Sequence, residues 1–159
     1  MSISSRKKWT PAIAGAVVLA LGAAGVAQAQ GSKDVEAAIK YRQSLYTVIG
    51  NNFGPLGAMA TGKAPFDAAL FQRNAARVAF LSTIAPEVFP AISRSGAPTK
   101  AKPAIWTNKA EFDRLMKDFQ DKTAALATAS KSGALEGVKA AFGAAGSACK
   151  ACHDKFKAD

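Results

Sequence analysis

The sequence predicts an all-α protein, an antiparallel four-helix bundle. Apolar residues recur at alternating steps of three and four through four long stretches, the period of a helix face. No stretch alternates apolar and polar residues as a half-buried strand does. Short loops join the first stretch to the second and the third to the fourth, which sets those neighbours antiparallel. The chain has 159 residues, 49% of them hydrophobic. That is enough for one domain with a buried core and too apolar for wholesale disorder.

The first helix is expected from Asp34 to Thr61. Val35, Ile39, Arg42, Tyr46, Ile49, Phe53, Leu56 and Ala60 share its inner face. Gly54-Pro55 interrupts the stripe, and a proline removes one backbone donor, so a kink is expected there. Gly62-Lys63-Ala64-Pro65 ends it. The second helix runs from an N-capping Asp67 to about Ile84, with Leu70, Val78 and Leu81 inward.

Between Ala85 and Trp106 stand Pro86, Pro90, Gly96, Pro98 and Pro103, which argues against regular structure. The third helix opens at Asn108, with Glu111 at capping-box spacing. Phe112, Leu115, Phe119 and Leu126 form its stripe. After the turn Ser130–Gly133, the fourth helix reaches about Lys157. Leu135, Val138, Phe142, Ala145, Cys149, Cys152 and Phe156 lie on its inner face.

The first residues read as a leader rather than as part of this bundle. Arg6, Lys7 and Lys8 precede an uncharged run, Ala12–Val26, and Ala27-Gln28-Ala29 is a small-x-small cleavage site. This is the three-part pattern of a secretory signal peptide spanning residues 1–29. The apolar run is short for a membrane span, so no stable membrane insertion is expected after cleavage, an uncleaved anchor being the alternative. The mature domain, residues 30–159, then carries 18 basic and 11 acidic side chains, a net +7. The basic residues look scattered along the chain and match no nucleic-acid motif, so no nucleic-acid partner is expected. The charge suits solubility and weak attraction to acidic surfaces.

Chemistry concentrates near the end of the fourth helix. Cys149-Lys150-Ala151-Cys152-His153 is a C-x-x-C-H motif, the attachment signature of c-type haem. On a helix, positions i, i+3 and i+4 share one face. Two thiols can therefore form thioethers with the two haem vinyl groups while the adjoining imidazole meets the iron. A thioredoxin-type dithiol wants a strand before the motif, and none is expected. A zinc site needs four ligands, or three plus water, and the chain has no Cys or His beyond these three. The Ala-rich inner face of the fourth helix leaves space that a flat cofactor fills. One haem c per chain, covalently bound near one end of the bundle, is the expectation.

A four-helix chain with its C-x-x-C-H this close to its end resembles a class II cytochrome c, and within that class cytochrome c prime. The matching residues are Lys40–Ser44, Phe53-Gly54 with Leu56-Gly57, Gly62–Asp67, Lys102-Pro103 with Ile105-Trp106, Ala140–Gly143 and Cys149–Lys157. The resemblance covers nearly the whole mature chain and is weakest over Ile92–Ala101.

The resemblance implies periplasmic location and His153 as the only protein ligand to iron. It places Tyr46 at the position that separates the subtypes. Low-spin members carry a ligating Met there; cytochrome c prime members carry a bulky non-ligand and a pentacoordinate high-spin haem. Met59 lies roughly 20 Å farther along the helix at about 1.5 Å per residue. Met116 reads as a peripheral core filler. Arg42 is a charge on a core face that needs a partner, and the resemblance puts Arg42 and Gln43 near the haem propionates. Phe89 and Trp106 match aromatic positions of the family pocket, with Trp106 equally readable as core. Lys157 stands where many members have Arg.

The resulting expectation is a protein that binds small gases, nitric oxide and CO, and exchanges electrons with an unidentified redox partner. The alternative is a six-coordinate low-spin electron carrier. No distal His or other base is available for peroxidase chemistry, so an enzyme is not expected. The resemblance also implies a homodimer through the first two helices, where Tyr41, Leu45 and Val48 give a second apolar edge and Gly50 and Gly54 permit close approach.

Overall fold

The computed structural model describes residues 18–159, with side chains from Gln30 onward. The expected leader therefore lies outside the described residues except for its last backbone turns. Five helices follow one another: α1 (Val18–Ala60), α2 (Ala68–Ile84), α3 (Ala104–Thr107), α4 (Lys109–Ala129) and α5 (Leu135–Phe156). Among the described residues the only β feature is an isolated antiparallel bridge, Ala101 to Lys157. Residues Asp34–Asp159 form one compact unit, and α1 from Asp34 onward, α2, α4 and α5 are its four long helices.

Helix α1 begins upstream of the expected Asp34. The residues before Asp34 are rich in Ala, the strongest helix former, and contain no Pro after Pro11. Pro55 stays inside α1 rather than ending it. The inward stripe holds, with Ile39, Arg42, Ile49 and Leu56 buried. Leu45, expected on an outer edge, is also buried at 7% exposure, because the stripe is wide enough to take a neighbouring column. Tyr41 and Val48 remain exposed. No neighbouring group lies within 4 Å of a Cβ built on Gly50 or Gly54, so these glycines approach no other helix of the unit. Gly57 is different: a Cβ there would meet the Phe142 ring at 3.1 Å. That close approach lets Phe53 stack on Phe142 with centroids 4.8 Å apart.

Asp67 caps α2 as expected, its carboxylate accepting from the Leu70 N–H at 2.9 Å. The buried face is Phe71, Asn74, Ala75, Val78 and Ser82, so Leu70 and Leu81 flank the seam rather than define it. Asn108 precedes α4 without a side-chain cap. Glu111 accepts instead from Arg114, at 2.7 Å, and from Lys155 on α5, so the expected capping box is replaced by a tie between helices. Far from α5's cysteines, Thr123 donates to Ser82 at 2.9 Å, joining α4 to α2, and Gln120 donates to the Ser82 carbonyl. Thr123, Ser82 and Leu126 are fully buried there. Gly133 takes a left-handed φ of 68° in the turn to α5, a conformation that favours glycine.

The connection after α2 is more ordered than its prolines suggest. Two 3₁₀ turns, Ala85–Val88 and Ala91–Arg94, precede the short α3. Proline is tolerated at the first positions of such turns, where its missing N–H has no partner to lose. Residues 100–102 then run beside the end of α5. Lys102 N–H donates to the Phe156 carbonyl at 2.9 Å and Ala158 N–H to the Lys100 carbonyl at 2.8 Å.

Candidate functional site

One cavity of about 560 Å³ opens between α1, α4, the end of α5 and residues 99–101. Its size suits a cofactor-sized ligand, about 300–1,000 Å³. Cys149, Cys152 and His153 line it from α5; Arg42, Gln43 and Tyr46 line it from α1. Phe89 and Lys157 complete the set of expected residues that meet there. Trp106 does not reach the cavity. It stands behind Phe89, with ring centroids 6.4 Å apart, and its indole N–H donates to the Phe89 carbonyl at 3.1 Å. Of its two sequence readings, core and pocket wall, the core reading describes its place.

Cys149 and Cys152 are both unpaired thiols, half-buried. Burial raises the pKa of Cys149 and pushes Cys152 up to about 11, with Cys149 beside it adding to the shift. Both are thus neutral thiols near neutral pH. His153 is shifted the other way: burial first, then the Lys157 charge, lowers its pKa and favours the neutral imidazole, the form that ligates metal. Two thiols and an imidazole on successive turns of one helix, facing an apolar cavity of this size, fit a haem attached as the motif predicts.

Part of the cavity wall is aromatic. Tyr46 meets Phe89 edge to face at 6.1 Å, and Phe89 meets Phe112 at 4.9 Å. Burial raises the Tyr46 pKa well above that of a free phenol, the two cysteines reinforcing it, so the side chain is neutral. Its hydroxyl donates to Met116 Sδ at 4.0 Å. Met116 is therefore part of the cavity wall, not the peripheral filler that its sequence position suggests. Phe112 and Phe119 also line the cavity, and they were legible only as members of the α4 stripe.

Arg42 is buried at 4% exposure, and among the described residues no carboxylate pairs with it. Its sequence reading supplies haem propionates as partners. In the protein its guanidinium donates to Ser93 Oγ at 2.7 Å, to the Ser93 carbonyl and to Thr99 Oγ1 at 2.8 Å. It also lies 5.1 Å from the Phe89 centroid and 5.9 Å from that of Trp106. Neutral oxygens and ring faces thus help solvate the charge, and Arg42 also lines the cavity. Gln43 donates to the Pro98 carbonyl at 3.1 Å. Both α1 residues therefore clasp the 89–101 segment over the cavity.

The lysines are less scattered than the linear sequence suggests. Pairing of 100–102 with 156–158 brings together Lys100, Lys102, Lys155 and Lys157, two of which line the cavity. Asp154 pairs with Lys150 at 2.5 Å, and Glu111 with Lys155, within the same region.

Known proteins share this fold. The family model described as Cytochrome C' matches residues 37–157. A cytochrome c' of Rubrivivax gelatinosus is 46% identical over 120 residues, covering 76% of this chain and 93% of the relative. The solved cytochrome c prime of Shewanella frigidimarina is 48% identical with a TM-score of 0.75, covering 79% of this chain and 97% of that one. A nitric oxide complex of a cytochrome c prime variant from Alcaligenes xylosoxidans superposes with a TM-score of 0.72 at 35% identity, covering 79% of this chain and 97% of that one. The all-α bundle expected from periodicity is the fold of these proteins, and the match runs through the cavity-lining segments from Arg42 to Lys157. The chain belongs to the cytochrome c' family of c-type haem proteins, with one haem c per chain.

Proposed function

We propose that this chain is an exported, periplasmic haem protein that binds small neutral gases, nitric oxide first, and exchanges single electrons. In this reading haem c is held by thioethers at Cys149 and Cys152, with His153 as the only protein ligand to a pentacoordinate, high-spin iron. The haem supplies the open metal position and the one-electron chemistry. The protein's own residues decide what reaches it.

The observation that carries the reading is Tyr46. It lines the cavity as a neutral phenol, packed on Phe89. A neutral phenol is a poor iron ligand but a good steric plug. The nitric oxide complex of the Alcaligenes xylosoxidans relative supports the choice of gas. The low-spin alternative needs a free thioether, and the α1 candidate is occupied elsewhere: Met59 is buried in the core, where its Sδ accepts from the Asp67 N–H at 3.4 Å.

The remaining parts of the proposal rest on separate observations. The leader pattern in residues 1–29 supports export. Among the described residues no helix is long and apolar enough to cross a membrane. Exposed Tyr41 and Val48 on α1 and Phe80 on α2 support a homodimer through these helices. The redox partner is a separate protein, and the chain acts by binding and electron exchange rather than as an enzyme.

Absorption spectra of the ferric and ferrous holoprotein, with and without CO, test the reading. A five-coordinate high-spin ferrous spectrum near neutral pH is expected. Tyr46→Ala should speed CO association by removing the plug. A low-spin wild-type spectrum moves the protein to the electron-carrier alternative.

A further inference from the structure

Nothing in the family resemblance gives Met116 a role, yet the fold places it across the cavity wall from α1. Met116 is buried, and its Sδ is the hydrogen-bond acceptor of Tyr46, linking residues 70 positions apart. We infer that Met116 is a positioning residue: its sulfur holds the Tyr46 hydroxyl in the resting protein and sets how readily that hydroxyl turns to an incoming ligand. The inference rests on the reading of Tyr46 as a gate.

A thioether is a weak acceptor, and Met116 Sδ is the acceptor that the Tyr46 hydroxyl meets. Arg42 has donors only, already directed at Ser93 and Thr99. Gln43 donates to Pro98, and Thr47 donates to the Gln43 carbonyl at 2.8 Å. The two cysteine sulfurs are committed once they carry thioethers. The Tyr46 hydroxyl is therefore oriented by a partner from which release is easy. A stronger acceptor at position 116 would hold the ring against an incoming gas. No acceptor at all would leave the hydroxyl free to rotate into the cavity. Bulk alone does not demand methionine here, since leucine fills a similar volume.

The test uses holoprotein with CO as the probe, in wild type, Met116→Leu, Tyr46→Phe and the double variant. Two quantities are read: the infrared C–O stretch of the bound gas, which falls when a hydroxyl donates to it, and the CO association rate. Met116→Leu should lower the stretch and speed association by about two- to ten-fold, the span of one weak hydrogen bond. In the Tyr46→Phe background the same substitution should change neither. Met116→Gln, which supplies a strong acceptor, should shift both in the opposite direction and covers the case in which Met116→Leu loosens the fold. Equal effects of Met116→Leu with tyrosine or phenylalanine at position 46 would show that the sulfur does not act through the hydroxyl, and would overturn the inference while leaving the gate intact. A six-coordinate low-spin spectrum without CO would defeat the gate reading itself and this inference with it.

Discussion

The guanidinium of Arg42 and the hydroxyl of Ser93 lie 2.7 Å apart, both buried, joining α1 to the segment after α2. A charge placed in the interior is held there by a serine 51 positions away. The segment that covers the cavity is thus fastened from the wall opposite α4.

Breaking that clasp should be costly. Ser93→Ala removes one hydrogen bond to a buried charge, and such bonds contribute about 1.5–3 kcal/mol. Arg42→Lys should lose most of the same stability, because an ammonium cannot serve Ser93 and Thr99 with a planar fork. Urea titration of the holoprotein reads both losses. A wild-type midpoint in Ser93→Ala would show that the contact contributes little.

Haem attachment should depend on both thiols. Acid–acetone extraction of the wild-type protein should leave the cofactor on the polypeptide, with one added haem by mass spectrometry. Cys149→Ser combined with Cys152→Ser should yield little holoprotein. Free haem in the acetone phase of the wild type would remove the thioether assignment.

Removing haem should loosen the bundle. Without haem the apolar lining of a cavity of about 560 Å³ faces water or a void, and a closed void costs about 24 cal/mol per Å³, a large cost for a domain whose whole stability is about 5–15 kcal/mol. The walls must therefore collapse or melt locally. The apoprotein should keep part of its far-ultraviolet circular dichroism, lose near-ultraviolet signal from the aromatic wall, and melt well below the holoprotein. Equal melting midpoints would show that the cofactor is not structural.

Acid should release the tie between α4 and α5. Hydrogen bonds from Arg114 first, then Lys155, hold the Glu111 carboxyl down to about 2, against 4.5 for the free group. A folded pKa below the unfolded one gives stability that is complete above about 4.5 and lost as pH falls towards 2. The pair is solvent-screened, so the effect is small. The difference in melting temperature between wild type and Glu111→Gln should be constant above the upper limit and should vanish at the lower one. A difference that persists in strong acid would assign the effect to packing instead.

The bundle was legible because periodicity is local: each stripe needed only its own helix. Asp67 and the C-x-x-C-H motif were legible for the same reason. The failures came from groups whose partners are distant in sequence. Arg42 declared a need for company, but Ser93 and Thr99 lie in a proline-rich stretch with no period to read. Glu111 carried a valid capping spacing, and Lys155 on another helix drew it away. Met116 sits one step off its stripe, so only the packing of α4 against α1 reveals that its sulfur faces Tyr46. The lysines at 100–102 and 155–157 looked dispersed because backbone pairing across the cavity rim, not sequence proximity, gathers them.

The hydroxyl seam between Ser82 and Thr123 has a consequence for how the molecule breathes. That seam is dry, and its backbone should open only in global unfolding, so amides around Thr123 and Leu126 should be among the slowest to exchange with deuterium. The segment over the cavity is held by the Arg42 and Gln43 side chains and one isolated bridge, and its amides should exchange through local openings that break those bonds and leave the seam closed. One end of the bundle acts as a vice and the other as a flap. A gas molecule can then pass the flap without loosening the vice.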